Sequence, residues 1–312
     1  MGMAFEDEKQ SKTSKPLQVC IATYGDPSRN LVQASCNIGI DHPFKSTVWV
    51  VGSCNGLLCL RLRDYTYCIW NPSTRRSSTC RFDFDLRPKV QWDFGIGFGY
   101  DESTDDYKVV ELCYKHEHTL MMHMHIYSLK SGKWKSFSQY YQGFISYYNG
   151  TFFNGVLHWL AGINQVALSS IATLDLATGT YCGFSHLPYD DDDDDDKGSI
   201  RIPQLGVYGE WLCVLYTYLG KHGDLWVMKE YGVKDSWVKL FSIPYPTGCK
   251  NPFDGFFVPL CFLDDGRIFL QCGTISVVHD PKNSSSLEIQ NVDKWWDVIT
   301  FVESLVSPAV IP

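Results

Sequence analysis

Four histidines, His116, His118, His123 and His125, are spaced symmetrically about the junction of Leu120 and Met121. If that junction is a hairpin tip, His118 faces His123 and His116 faces His125, and period-2 alternation puts all four imidazoles on one face. Imidazoles so placed suit a borderline divalent metal. The tip argues against it: Leu120-Met121 lacks the Gly or Asn that a tight hairpin prefers. An exposed hairpin whose polar positions are histidine gives the same pattern. No metal and no cofactor is assigned on these residues.

Gly95-Ile96-Gly97-Phe98-Gly99 has the outline of a dinucleotide loop, but Tyr100 stands where a further glycine belongs and a strand follows instead of a helix. The alternative is an inner strand whose glycines let neighbouring elements approach closely. The chain has no phosphate-binding Walker loop, no G-x-S-x-G elbow and no H-E-x-x-H pair. No catalytic residue is assigned, and the expectation is a binding protein, not an enzyme.

Two groups of residues suit binding. Asp190, Asp191, Asp192, Asp193, Asp194, Asp195 and Asp196 form one acidic run in a chain whose net charge is −8. The rest of the molecule is nearly neutral, so the run is either a solvated spacer or an electrostatic lure that speeds encounter with a basic partner. Tyr140, Tyr141, Tyr147 and Tyr148 cluster between strand patterns. Tyrosine offers a large contact area at low entropic cost, although these rings have an alternative use in packing between structural units.

The elements that position these groups are strands. Val48-Trp49-Val50-Val51, Gly56-Leu57-Leu58-Cys59-Leu60 and Trp211-Leu212-Cys213-Val214-Leu215-Tyr216 are short runs of β-branched, aromatic and aliphatic residues bounded by turn formers. No segment holds a helical apolar period, and the pattern at 298–302 predicts a final strand. With 312 residues, 45% of them hydrophobic, the chain can bury a sizeable core. No stretch approaches the roughly 20 apolar residues of a membrane helix, and no basic patch marks a nucleic-acid binder. Residues 1–15 read as a disordered tail without a secretory or transit pattern, and 189–199 as a solvated loop. Twelve scattered cysteines without a C-x-x-C pair suit small buried hydrophobes of a reducing compartment, cytoplasmic or nuclear.

One pattern repeats: an apolar strand, then Asn, Asp or Ser opening a turn. It occurs at Trp70-Asn71-Pro72-Ser73, Tyr127-Ser128-Leu129-Lys130 and Leu174-Asp175-Leu176-Ala177, with weaker copies before Trp237 and at His279-Asp280-Pro281. A spacing of roughly 50 residues lies in the kelch range. The expected fold is all-β, a kelch-like propeller of about six to seven four-stranded blades over 16–312. Trp70 and Trp159 are expected to be core anchors.

Four ordered motifs carry a family resemblance. Gly52-Ser53-Cys54-Asn55-Gly56-Leu57-Leu58-Cys59 followed by Trp70-Asn71-Pro72-Ser73-Thr74-Arg75, then Phe94-Gly95-Ile96-Gly97-Phe98-Gly99-Tyr100-Asp101, resemble the opening of the F-box-associated domain of plant F-box proteins. Gly150-Thr151-Phe152-Phe153-Asn154-Gly155-Val156-Leu157-His158-Trp159 and Ile299-Thr300-Phe301-Val302-Glu303-Ser304-Leu305-Val306 are similar to its middle and C-terminal signatures. The flavour is that of S-locus and related kelch-type F-box proteins. The resemblance implies a substrate-recognition module of an SCF-type ubiquitin ligase that binds a target protein not named by the sequence. Residues 1–50 show no Skp1-binding F-box, so Skp1 and cullin are expected as partners only where a longer form supplies one. The alternatives are a propeller acting as scaffold or decoy and, least expected, a propeller enzyme.

Overall fold

The computed structural model describes residues 18–19, 36–37, 49–62, 65–82, 92–115, 121–140, 144–145, 149–163, 167–188, 201–249, 255–262, 266–273, 275–290, 301 and 304–308. Two short strands, β1 (Gln18–Val19) and β2 (Cys36–Asn37), pair with each other. The rest is a series of antiparallel sheets, each an up-and-down meander. Blade 1 holds β3 (Trp49–Cys54), β4 (Leu57–Arg61), β5 (Thr66–Asn71) and β6 (Arg76–Arg81). Blade 2 holds β7 (Trp92–Asp101), β8 (Asp106–Lys115), β9 (Met121–Ser128) and β10 (Lys133–Tyr140). Blade 3 opens with a broken inner strand, β11 (Phe144–Ile145) and β12 (Thr151–Phe153), both paired to β13 (Val156–Ile163), followed by β14 (Ala167–Asp175) and β15 (Tyr181–His186). Blade 4 is β16 (Arg201–Tyr208), β17 (Trp211–Tyr218), β18 (His222–Met228) and β19 (Trp237–Pro244). Blade 5 is β20 (Phe257–Phe262), β21 (Ile268–Cys272), β22 (Ile275–Asp280) and β23 (Ser285–Gln290). The protein is an all-β propeller of four-stranded blades.

The alternation of each strand explains why the blades stack. On β8, Val109 points into a cluster with blade 1, while Val110 and Leu112 point into one with blade 3. On β17, Leu212, Val214 and Tyr216 serve the blade 3 contact, and Cys213 and Leu215 the blade 5 contact. Middle strands are therefore buried on both faces and read as continuous apolar runs. Outer strands such as β10 are mostly exposed.

The glycines of β7 act as the sequence suggested. A Cβ at Gly95 or Gly97 would come within 2.9 Å of the Trp159 indole, and one at Gly150 within 2.6 Å. One at Gly99 would collide with the Phe152 ring. Removing those side chains opens a slot in which Trp159 lies 1% exposed, donating its indole N–H to the Ile96 carbonyl at 3.2 Å. The other edge of β7, with Ile96 and Phe98, packs on blade 1.

Several expectations need correction. The described residues form five four-stranded blades, not six to seven; each of the five legible repeats became the hairpin between a blade's third and fourth strands. Trp159 is a core anchor, but Trp70 is only half-buried, because it sits at the end of β5 where the blade meets its turn. The predicted strand at 298–302 lies mostly outside the described residues; Phe301 is buried in irregular backbone, and 304–308 are irregular as well. That segment is tied to blade 1, since the Asn71 amide donates to the carbonyls of Ser304 at 2.9 Å and Val306 at 2.7 Å. The tail at 1–15 and the acidic loop at 189–199 lie outside the described residues.

Candidate protein-interaction face

Because every blade is a meander, its connections sort into two ends. The turns between first and second strands and between third and fourth strands lie at one end, here the turn face. The loops between second and third strands, and the crossovers to the next blade, lie at the other, here the crossover face.

The turn face is built by local side-chain chemistry. Asn71 Oδ1 accepts the N–H groups of Ser73 and Thr74, and Asp175 Oδ1 those of Ala177 and Thr178, each at 2.8–3.1 Å. Asp280 accepts from Lys282, and the Ser128 hydroxyl from Ser131, in the equivalent turns of blades 5 and 2. These are the repeated polar residues of the sequence, and their function is to satisfy the backbone of a tight turn. Asn55, Arg75, Asp105, Asn154 and Ser284 carry positive φ in these turns, as Gly56, Gly132, Gly155 and Gly179 do.

The contacts that join neighbouring blades at this end include a lysine and a histidine that reach across. Lys108 Nζ bonds Asp101 Oδ2 and the Leu176 carbonyl, both at 2.6 Å, and so fastens blade 2 to blade 3. Burial alone would raise the Asp101 carboxyl. The hydrogen bonds from Lys108, Thr104 and Ser103 outweigh that and hold it well below the usual carboxylate range. His158, fully buried on β13, shares a 2.7 Å hydrogen bond with the Tyr231 hydroxyl of blade 4 through Nε2. Burial pushes this imidazole down to about 4, so it is neutral, while burial of Tyr231 pushes the phenol up to about 12. Sequence reasoning missed both contacts, since nothing local marks a lysine or histidine that reaches across blades.

The crossover face carries the longer connections, 82–91, 187–200 and 245–256. Tyr140, at the end of β10, is 78% exposed, and Phe137 on the same strand is 46% exposed. Tyr216 donates its hydroxyl to the Pro188 carbonyl at 2.9 Å, fixing the point where the chain leaves blade 3. Nearby, Asp224 accepts from Ser242 at 2.6 Å and pairs with Lys239 at 2.7 Å, with His222 at 3.5 Å.

Of the residues selected from sequence, Tyr140 is exposed at this end. Tyr141, Tyr147, Tyr148 and the acidic run 190–196 lie outside the described residues. The connections that carry Tyr141 and the acidic run begin at Tyr140 and after Pro188, both on the crossover face. Tyr147 and Tyr148 fall in the interruption between β11 and β12.

The hairpin takes a different register from the one that facing histidines would need. On β8 and β9, Cys113 pairs with His123 and Glu111 with His125. The pairing is set by the apolar pattern of both strands, which brings Leu112 opposite Met124 inside the blade 2–3 core. His123 and His125 thus face Cys113 and Glu111; His116 and His118 lie outside the described residues. His123 and His125 do share a face, but their Nδ1 atoms meet the hydroxyls of Ser138 and Ser136 at 2.9 and 2.8 Å on β10. Among the described residues no group of three His, Cys, Asp or Glu is placed to hold a metal ion, and no helix is long and apolar enough to cross a membrane.

Residues 10–308 match the model of the F-box associated beta propeller domain. An F-box/kelch-repeat protein of Arabidopsis thaliana is 31% identical over 270 residues, which cover 83% of this chain and 69% of that protein. The F-box protein CPR1 of the same plant is 27% identical over 296 residues, covering 86% of this chain and 70% of its own. Among solved structures, the six-bladed β-propeller lectin of Aleuria aurantia superposes with a TM-score of 0.46 at 9% identity, over 80% of this chain and 79% of the lectin.

Proposed function

The chain belongs to the F-box-associated beta propeller family, and from that premise we propose that it is the substrate-recognition module of an SCF-type ubiquitin ligase. It binds a target protein at its crossover face, and the target is ubiquitinated and degraded. Within the family we place it with the kelch-type members, those of the S-locus kind included. Such a role puts it in the cytoplasm or nucleus.

The observation that carries this reading is the family match across nearly the whole chain, combined with the contrast between the two ends. Repeated residues are spent on closing turns at one end. The non-repeating sequence, which includes exposed Tyr140, is gathered at the other. Specificity resides in such connections while the repeated core supplies the scaffold. The chemistry of the interior also supports binding over catalysis. Burial pushes the thiols of Cys54 and Cys80 up to about 12 and that of Cys59 well above its ordinary value, the reverse of an activated nucleophile.

Coupling to Skp1 and cullin needs an F-box segment. The test is to join residues 1–312 to a Skp1-binding F-box and label neighbouring proteins in plant cells with and without proteasome inhibition. The proposal expects at least one labelled protein to accumulate on inhibition and to be ubiquitinated only in the presence of the propeller. A bound protein whose abundance and ubiquitination never change would instead establish the scaffold or decoy role.

A further inference from the structure

Between blades 4 and 5 the chain crosses over through 245–256, and its first part is held tightly. The Tyr245 N–H donates to the Lys221 carbonyl at 3.2 Å, and its hydroxyl to the Gly255 carbonyl at 2.7 Å. The N–H groups of Thr247 and Gly248 both donate to the Glu288 carboxylate on β23, at 2.7 and 3.0 Å. The Cys249 N–H closes a turn onto the Pro246 carbonyl. Further along, Gly255 lies so close to Gly273 that a Cβ there would collide with the Gly273 backbone.

These restraints deliver one side chain to one place. Cys249 Sγ lies 3.7 Å from Cys272 Sγ and 3.6 Å from the Cys272 carbonyl. Cys249 is partly exposed to solvent, while Cys272, at the end of β21, is buried. Neither is part of a disulfide. An accessible sulfur in van der Waals contact with a buried one has the arrangement of a peroxide-reactive thiol beside a resolving thiol.

We propose that Cys249 and Cys272 form a reversible disulfide when the protein meets a hydroperoxide, stapling the blade 4–5 crossover to β21. The Cys249 sulfur, its proton passing to water, attacks one peroxide oxygen. The O–O bond breaks, water (or an alcohol, from an organic peroxide) leaves, and Cys249 becomes a sulfenic acid. The Cys272 sulfur, whose thiol burial holds well above its ordinary range, attacks the Cys249 sulfur and gives up its proton to the departing hydroxide. The S–OH bond breaks, the hydroxide departs with that proton as water, and the S–S bond forms. The two sulfurs lose two electrons and the peroxide gains them. A thiol disulfide such as oxidised glutathione gives the same product by exchange at Cys249. Reaching the roughly 2.05 Å of a disulfide asks for a movement of under about 2 Å by a partly exposed side chain. The staple spans 23 residues and restrains a connection on the crossover face.

The test uses the intact chain, titrated with hydrogen peroxide from substoichiometric to several equivalents, alkylated, and digested with trypsin without reduction. Cleavage after Lys239, Lys250, Arg267 and Lys282 places the two cysteines in separate peptides, 240–250 and 268–282. The expected result is that these two, joined, form the first disulfide-linked species and disappear on treatment with dithiothreitol. Oxidation should also raise the melting temperature by about 5 °C. Cys249→Ser should abolish the linked species and the shift, and Cys182→Ser, removing an exposed thiol on β15, should leave both. The proposal is overturned if Cys249 collects as sulfinic acid or pairs with another cysteine. It is equally overturned if Cys182 oxidises while 249 and 272 stay reduced.

Discussion

On the turn face the chain reverses within a few residues, and a side chain from the turn itself satisfies the backbone groups it frees. Asn71, Asp175 and Asp280 do this in three different blades with the same geometry. On the crossover face the chain travels over 82–91, 187–200 and 245–256 to reach the next blade, connections that differ in length and share no turn motif. The first end repeats because every blade sets it the same backbone problem. The second is released from that problem, so its residues are free to be chosen for what they contact. On the proposed reading as a recognition module, the end released from that problem is the one expected to distinguish a target.

The largest effect should come from the core that both ends share. Trp159 fills the slot left by Gly95, Gly97 and Gly150 and bonds the Ile96 carbonyl, so Trp159→Ala should destabilise the fold by about 3–5 kcal/mol in urea unfolding. Trp70→Ala, at a half-buried site, should cost clearly less. An equal cost would show that blade packing does not depend on the glycine slot.

The turn face predicts its own response to acid. The His158 imidazole is held at about 4 in the folded protein against 6.5 when exposed, so between these values the unfolded chain binds the proton more readily. Stability is therefore complete above about pH 6.5 and falls as pH drops toward 4, by on the order of 3 kcal/mol from this group. His158→Gln should remove that part of the slope in denaturation measured from pH 7 to 4, leaving the part due to carboxylates such as Asp101.

Asn71 links a turn to the C-terminal segment through two bonds accepted and two donated. Asn71→Ala should cost roughly 2–3 kcal/mol and make residues 304–308 cleavable earlier in limited proteolysis. Asn71→Asp keeps the turn bonds but loses the donors. It also sets a buried carboxylate against the Ser304 and Val306 carbonyls, so it should cost at least as much as Asn71→Ala and likewise lose the protection of 304–308.

What could be read from the sequence divides along the same line. The repeated Asn, Asp and Ser positions announced hairpins because a tight turn needs a nearby acceptor, and the glycines of β7 announced close packing because nothing else fits beneath an indole. Blade number and histidine register were not legible. Register on β8 and β9 is decided by which apolar residues meet blade 3, a contact made far along the chain. Lys108 reaching the Leu176 carbonyl, and His158 reaching Tyr231, are likewise products of blade stacking that no local pattern encodes. In the sequence Tyr140 suits either a partner contact or packing between blades; that it is exposed, and lies at one end with Pro188 and Cys249, follows only from the structure.

The smallest effect belongs to the acidic run. Replacing Asp190, Asp191, Asp192, Asp193, Asp194, Asp195 and Asp196 by Asn should slow association with a basic target several-fold at low salt and leave dissociation nearly unchanged, because exposed charges act at long range and are screened beyond about 8 Å at physiological salt. A change in dissociation instead would make the run part of the bound interface.

The central claim is that the target is held at the crossover face and not at the turn face. With a target identified by the labelling experiment, its affinity should be measured for two variants of matched stability. One replaces Tyr140 and Tyr141, where the connection from blade 2 to blade 3 begins, by Ala; the other replaces Val233, which is 45% exposed on the turn face, by Ala. The account predicts a loss of about tenfold or more for the first, the scale of one or more hot-spot contacts, and a change within about twofold for the second. The reverse order would contradict it.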